Sequence, residues 1–292
     1  MTTRSIFAGE FVGTFILVFF GCGSVAAAVL HGAQIGIFQV AIVWGIAIAL
    51  AIFLTGGMSG AHLNPAVTLA FAAFRKLPPR QIPNYLLSQF AGAFLAAAIL
   101  FVLFGGSIEA FESKHGIVRG APGSEASAMI FGEFFPNPGG DALSAEQLAW
   151  MPTWRAFLVE LIGTAILVFA IFGLTDERQA NAPGILLPAM VGLTVTILIS
   201  LLGPLTMGAF NPTRDLAPRI FSSIAGWGSV PFSVNGMGWL TVYIFGPFSG
   251  GLIGGAFWKY LMAESHPVVP DPAFIEAVEG EELERVNVAR DS

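Results

Sequence analysis

Ser59-Gly60-Ala61-His62-Leu63-Asn64-Pro65-Ala66 and Met207-Gly208-Ala209-Phe210-Asn211-Pro212-Thr213 decide how this chain folds. Each stretch runs from a permissive, Gly-containing segment into an Asn-Pro dipeptide. Asn is a favoured helix N-cap and Pro suits the first helical position, so each dipeptide marks a helix start. The surroundings are apolar: of 292 residues, 55% are hydrophobic and only 11% charged, against about 25% charged in a soluble domain. Mean hydropathy is +0.75. Helices that begin inside membrane-grade sequence are tolerated only where the broken backbone is buried in protein or lines a cavity. The chain reads as a conduit.

Six apolar stretches reach the roughly 20 residues that a bilayer crossing needs. They lie near 6–30, 36–56, 84–106, 155–174, 184–202 and 239–261. The two pieces after Asn64 and Asn211 are about ten residues each, roughly 15 Å of helix and half the hydrocarbon thickness. They dip in and stop. The halves also repeat: Glu10-Phe-Val-Gly13-Thr14 matches Glu160-Leu-Ile-Gly163-Thr164, and Phe90-Ala-Gly92 matches Phe248-Ser-Gly250. Three spans per copy is an odd number, so the second copy lies upside-down, and the functional site is expected near the midplane between them. The division is 1–150 for the first repeat and 151–263 for the second, followed by an acidic tail over 264–292, expected to be disordered. Arg4 before the first span, with Arg75, Lys76 and Arg80 between the second and third, places both termini in the cytoplasm by the positive-inside rule. The first apolar run could be a targeting signal. It is longer than such a signal and has a mid-chain copy, so a retained helix is the preferred reading.

Two half-helix N-termini facing one another each carry about half a positive charge, which opposes cations and leaves neutral solutes unaffected. The Asn64 and Asn211 side-chain oxygens cap their own helices, leaving the NH₂ groups to donate to a passing oxygen. Non-helical backbone before each dipeptide, from Gly56 and from Gly203 onward, offers free carbonyls to the pore, those of Gly60, Ala61, His62, Met207, Gly208 and Ala209 among them. Arg214 sits in the first turn of the second half-helix, where its charge is costly and supplies fixed donors. Asp215 suits a helix start and stands four residues before Arg219, an ion-pair spacing. Glu10 and Glu160 are matched intramembrane acids. A proton relay is one reading; the preferred one is that each accepts backbone N–H groups from the loop of its own repeat. His62 is read as a loop anchor rather than a metal ligand, since no second His or Cys stands at ligand spacing. The single cysteine, Cys22, excludes an intramolecular disulfide. In the long connection from Ser107 to Thr153, outside the membrane, nothing demands chemistry. No nucleophile and base, cofactor motif or metal cluster is present, so an enzyme is not expected.

These residues resemble the major intrinsic protein family, the aquaporins and glycerol facilitators, from about residue 5 to 262. Ser59 through Thr68 is similar to that family's first signature, and Asn211-Pro212-Thr213-Arg214-Asp215 to its second. Asp215, Arg219, His115-Gly-Ile-Val-Arg119-Gly and Phe245-Gly246-Pro247 resemble the glycerol-facilitator branch. The resemblance implies an all-α membrane protein with six transmembrane helices and two re-entrant half-helices in two inverted repeats. It implies a constriction at Asn64, Pro65, Ala66, Asn211, Pro212 and Thr213, and a selectivity filter of Trp44, Ile199, Gly208 and Arg214. It also implies a homotetramer with one pore per subunit. Two departures stand out. Glycerol facilitators usually carry Phe at the position of Gly208 and Gly at that of Ile199, and the exchange resembles the nodulin-like branch that passes glycerol and metalloid hydroxides. Thr213 replaces the usual Ala.

The expected function is a passive plasma-membrane channel (the inner membrane, if bacterial) for glycerol and other small uncharged solutes. Water, urea or metalloid hydroxides are further solutes, and protons and ions are excluded. The lipid bilayer is the expected surrounding, with no nucleic-acid partner and no cofactor. The alternatives are a water-selective channel, a boric or arsenous acid channel, and a coupled transporter. Gly208 and the absence of a filter His argue against the first. The coupled transporter lacks an asymmetric ion site.

Overall fold

The computed structural model describes residues 1–34, 36–179 and 183–263; the expected acidic tail lies outside the described residues. The elements that build the molecule are α1 (Thr3–His31), α2 (Ile37–Ser59), α3 (Pro65–Ala73), α4 (Ile82–His115) and α5 (Thr153–Leu174). Next come α6 (Leu187–Thr206), α7 (Pro212–Ser222) and α8 (Gly238–Met262), the last widened by π turns at Thr241–Phe245 and Trp258–Met262. Among the described residues, six helices are long and apolar enough to cross a membrane. The other two, α3 with 9 residues and α7 with 11, are not. At 1.5 Å per residue they span about 14 and 17 Å, half a bilayer. Large apolar side chains point outward from the spans, such as Phe53, Leu87, Val102 and Leu201.

Packing follows the same plan in both halves. α1 lies against α2 and α4, and α5 against α6 and α8, while α2 against α6 joins the two sets. The short helices cross over: α7 packs on α4, and α3 on α8. Close approach of backbones makes this possible, as small residues do between membrane helices generally. A Cβ on Gly92 would sit 2.3 Å from the Phe11 carbonyl, and one on Gly250 2.1 Å from that of Leu161.

Three boundaries differ from the sequence reading. α4 continues past 106 to His115, because Ile108, Phe111 and Glu112 recur on one face and are buried. The stretches from Gly56 and from Gly203 are helical at first, ending only at Ser59 and Thr206. Gly60 and Met207 close those helices in the left-handed conformation.

Candidate pore and filter

The two loops between span and half-helix have matching backbones. Gly60, Ala61 and Leu63 have φ of 82°, 48° and 53°, and Met207, Gly208 and Phe210 have φ of 63°, 74° and 49°. Asn64 and Asn211 are then extended at −157° and −150°. Four of the six left-handed residues are not glycine, and each such conformation costs roughly 1–2 kcal/mol. Two acids hold the loops in it. Glu10 accepts from Ser59 Oγ (2.7 Å), His62 N (2.9 Å), Leu63 N (2.7 Å) and Gln89 Nε2 (2.8 Å). Glu160 accepts from Thr206 Oγ1 (2.6 Å), Ala209 N (3.1 Å) and Phe210 N (2.7 Å). Both acids are fully buried. With the N–H groups turned toward the acids, the carbonyls turn away. Among the described residues no donor is paired with the carbonyls of Gly60, Ala61, His62, Met207, Gly208 or Ala209. His62 Nδ1 stands 3.2 Å from Thr68 Oγ1, with its ring between Phe71 and Tyr85.

The half-helices meet at their N-termini. Asn64 Oδ1 accepts from Ala66 N (2.8 Å), and Asn211 Oδ1 from Thr213 N and Arg214 N (3.1 and 3.3 Å). The amide nitrogens cross: Asn64 Nδ2 donates to the Phe210 carbonyl and Asn211 Nδ2 to that of Leu63, both at 2.8 Å. This corrects the reading in which both NH₂ groups stay free. Each has two donors; one is committed to the opposite loop, and both residues line a cavity. Pro65, Ala66, Pro212 and Thr213 are buried behind this junction.

Two cavities run along the molecule. The larger, about 510 Å³, opens between Met1, Lys76 and Thr175 and passes His62, Asn64, Asn211 and Gly208. The smaller, about 380 Å³, is bounded by Gln34, Met129, Asn137 and Met207. Trp44, Ile199 and Arg214 line both. The two spaces therefore adjoin at these three residues, with Gly208 on the side of the larger. The Arg214 guanidinium lies 4.2 Å over the Trp44 ring. A Cβ on Gly208 would stand 3.4 Å from Ile199 Cγ1 and 3.1 Å from Phe210 Cε2; the Ile199 side chain occupies the room that a larger residue at 208 would use.

The long connection does demand chemistry, contrary to the sequence reading. Glu133, fully buried, forms an ion pair with Arg214. Its backbone N–H donates to Asp215 Oδ1 at 2.7 Å, and its carbonyl accepts from the Arg219 guanidinium. Asp215 and Arg219 are themselves paired at 2.7 Å. The signal available in the sequence was an acid set between aromatics, Phe131-Gly132-Glu133-Phe134-Phe135, inside a polar connection. Among the described residues no group of three His, Cys, Asp or Glu side chains could hold a metal ion.

Comparison with known proteins gives this arrangement a lineage. The family model for the major intrinsic proteins matches residues 1–258. The chain is 40% identical over 275 residues to the glycerol uptake facilitator protein of Pseudomonas aeruginosa, covering 93% of this chain and 94% of that one. It is 38% identical over 259 residues to a propanediol uptake facilitator of Citrobacter freundii, covering 88% and 92%. In three dimensions it is similar to the X-ray structure of the aquaglyceroporin from Plasmodium falciparum. The TM-score there is 0.76 at 27% identity, over 90% of this chain and 98% of that one.

Proposed function

The chain belongs to the major intrinsic protein family, and from that premise we propose that it is a passive channel for glycerol and similar short polyols, with water also passing. The observation that carries this reading is the meeting of two cavities at Trp44, Ile199 and Arg214, next to the crossed Asn64–Asn211 junction. Trp44 and Ile199 present carbon to the carbon side of a polyol. Arg214 and the spare amide hydrogens present donors to its hydroxyls, and the unpaired loop carbonyls accept from them. Asn64, Pro65, Ala66, Asn211, Pro212 and Thr213 form the midpoint, and Trp44, Ile199, Gly208 and Arg214 the filter. Relatives named for glycerol and for propanediol uptake support the polyol class.

The division into repeats at 1–150 and 151–263 is supported by the matched acids, loops and crossed half-helices. The basic residues Arg75, Lys76 and Arg80 support an orientation with both termini in the cytoplasm, and bacterial relatives support the inner membrane. A homotetramer rests on the family resemblance. The Ile199–Gly208 exchange favours a second class of cargo, compact metalloid hydroxides. Stopped-flow light scattering on proteoliposomes tests the reading: glycerol should re-swell them rapidly with or without a sodium or proton gradient. Accumulation of glycerol driven by either gradient would replace the channel with a coupled transporter.

A further inference from the structure

Four charges are joined at and behind the filter: Glu133, Arg214, Asp215 and Arg219. Asp215 and Arg219 cancel each other, which leaves Arg214 as the charge at the meeting of the two cavities. Glu133 is what answers it. Two neighbouring acids, Glu125 in the same connection and Glu112 at the end of α4, hold the chain in shape with their side chains. Glu125 accepts from Gly123 N and Leu143 N, and Glu112 from Arg119 and Ser127. Glu133 does not. Its backbone does the anchoring, helped by Phe134 N–H on Met207 Sδ at 3.2 Å. Its carboxylate oxygens accept no other hydrogen bond among the described residues; the ion pair with Arg214 is the one contact the side chain makes with a charge.

We infer that Glu133 is a specificity-determining residue that makes the filter electroneutral and so denies anions entry. Unmatched Arg or Lys side chains at a constriction are what anion pores use. A buried guanidinium with a carboxylate beside it keeps its remaining N–H donors for uncharged oxygens and loses its pull on negative ions. Cations are left to the half-helix N-termini at the midpoint.

This inference rests on the channel reading and is tested alongside it, with full-length protein in potassium-loaded liposomes containing valinomycin. Chloride entry is read by a trapped quenchable dye, and glycerol re-swelling is read on the same preparation. Glu133→Gln should raise the chloride-to-glycerol permeability ratio by about tenfold or more, since a unit charge a few ångströms away acts with several times thermal energy. Glu133→Asp should keep the ratio near that of the unmodified protein, and Glu133→Gln with Arg214→Gln should restore it. An unchanged ratio in Glu133→Gln, or a leak that persists in the double variant, overturns the inference. Should Glu133→Gln fail to assemble, Glu133→Ser reads the same claim: its chloride-to-glycerol ratio should rise as in Glu133→Gln, and an unchanged ratio would overturn the inference. An unmodified protein that carries no glycerol sinks the channel reading itself.

Discussion

Gly208 and Ile199 behave as one residue split between a loop and a helix. The large side chain comes from α6, and the loop position it fills toward carries no side chain. On the proposed filter assignment, the opening is narrowed from the wall opposite to that expected of a glycerol facilitator. Ile199→Gly should widen the opening and speed four- and five-carbon polyols more than glycerol. Gly208→Phe alone should nearly stop glycerol, because its Cβ already stands against Ile199 Cγ1 and Phe210 Cε2 and its ring adds bulk beyond that, at a backbone with φ of 74°. That left-handed conformation adds roughly 1–2 kcal/mol for a residue with a Cβ. The two changes together should restore glycerol flux above that of Gly208→Phe. A panel of polyols in re-swelling assays checks the series, and a double variant as slow for glycerol as Gly208→Phe alone would show that 199 and 208 do not share one space.

Each loop is held by one acid from a span, so the half-helices depend on α1 and α5 for their register. Glu160→Leu strands Thr206 Oγ1 and the N–H groups of Ala209 and Phe210, at roughly 1–3 kcal/mol for each buried group. It should sharply lower thermal stability in detergent, whereas Glu160→Gln, which keeps one acceptor oxygen, should fall between. A Leu variant as stable as the parent would mean the second loop is held by something else. At the ends of the spans a second clamp ties the end of α5 to the end of α8. Asp176 accepts from Arg178 and from Trp258 Nε1 (2.9 Å), and Arg178 reaches the Ala263 carbonyl (2.9 Å). The Arg178 guanidinium, hydrogen-bonded to Asp176, holds that carboxyl well below the usual carboxylate range. Its folded-state pKa is depressed, so the clamp's contribution is fully present above the unfolded value of about 3.9 and is lost as pH falls through the folded one. Asp176→Asn should therefore lower the melting temperature by an amount that stays constant from pH 8 to pH 5 and shrinks below about pH 4. A gap that changed between pH 5 and 8 would assign the effect to another group. The elements themselves were legible: apolar run length gave the six spans, and Asn-Pro gave the two short starts. The end of α4 was not, because Gly105-Gly106-Ser107 reads as a break while Ile108, Phe111 and Glu112 still keep helical spacing. Glu133 was not legible for a different reason: its partner lies 81 positions away (214 − 133), and only the folded connection brings the two together.

In the proposed channel, the ion barrier is a property of the whole molecule, set where two separate elements meet tip to tip. α3 and α7 each bring about half a positive charge to the midpoint, roughly one charge in total, at the place where Asn64 donates to the Phe210 carbonyl and Asn211 to that of Leu63. With Arg214 matched by Glu133, this midpoint is where a cation meets unbalanced positive potential. Asp caps a helix as well as Asn does, so Asn64→Asp with Asn211→Asp keeps both helix starts. The pair adds up to two negative charges against the roughly one positive, and it turns each crossed donor into an oxygen facing a carbonyl. The single variants should raise proton and potassium leak modestly, and the double variant should raise it much further than their sum, because the first substitution only cancels the barrier and the second inverts it. Proteoliposomes with a trapped pH dye, matched for glycerol flux, make the measurement. A double variant as proton-tight as the parent, while still passing glycerol, would move the barrier away from the midpoint and leave the joined helix ends with a purely structural part.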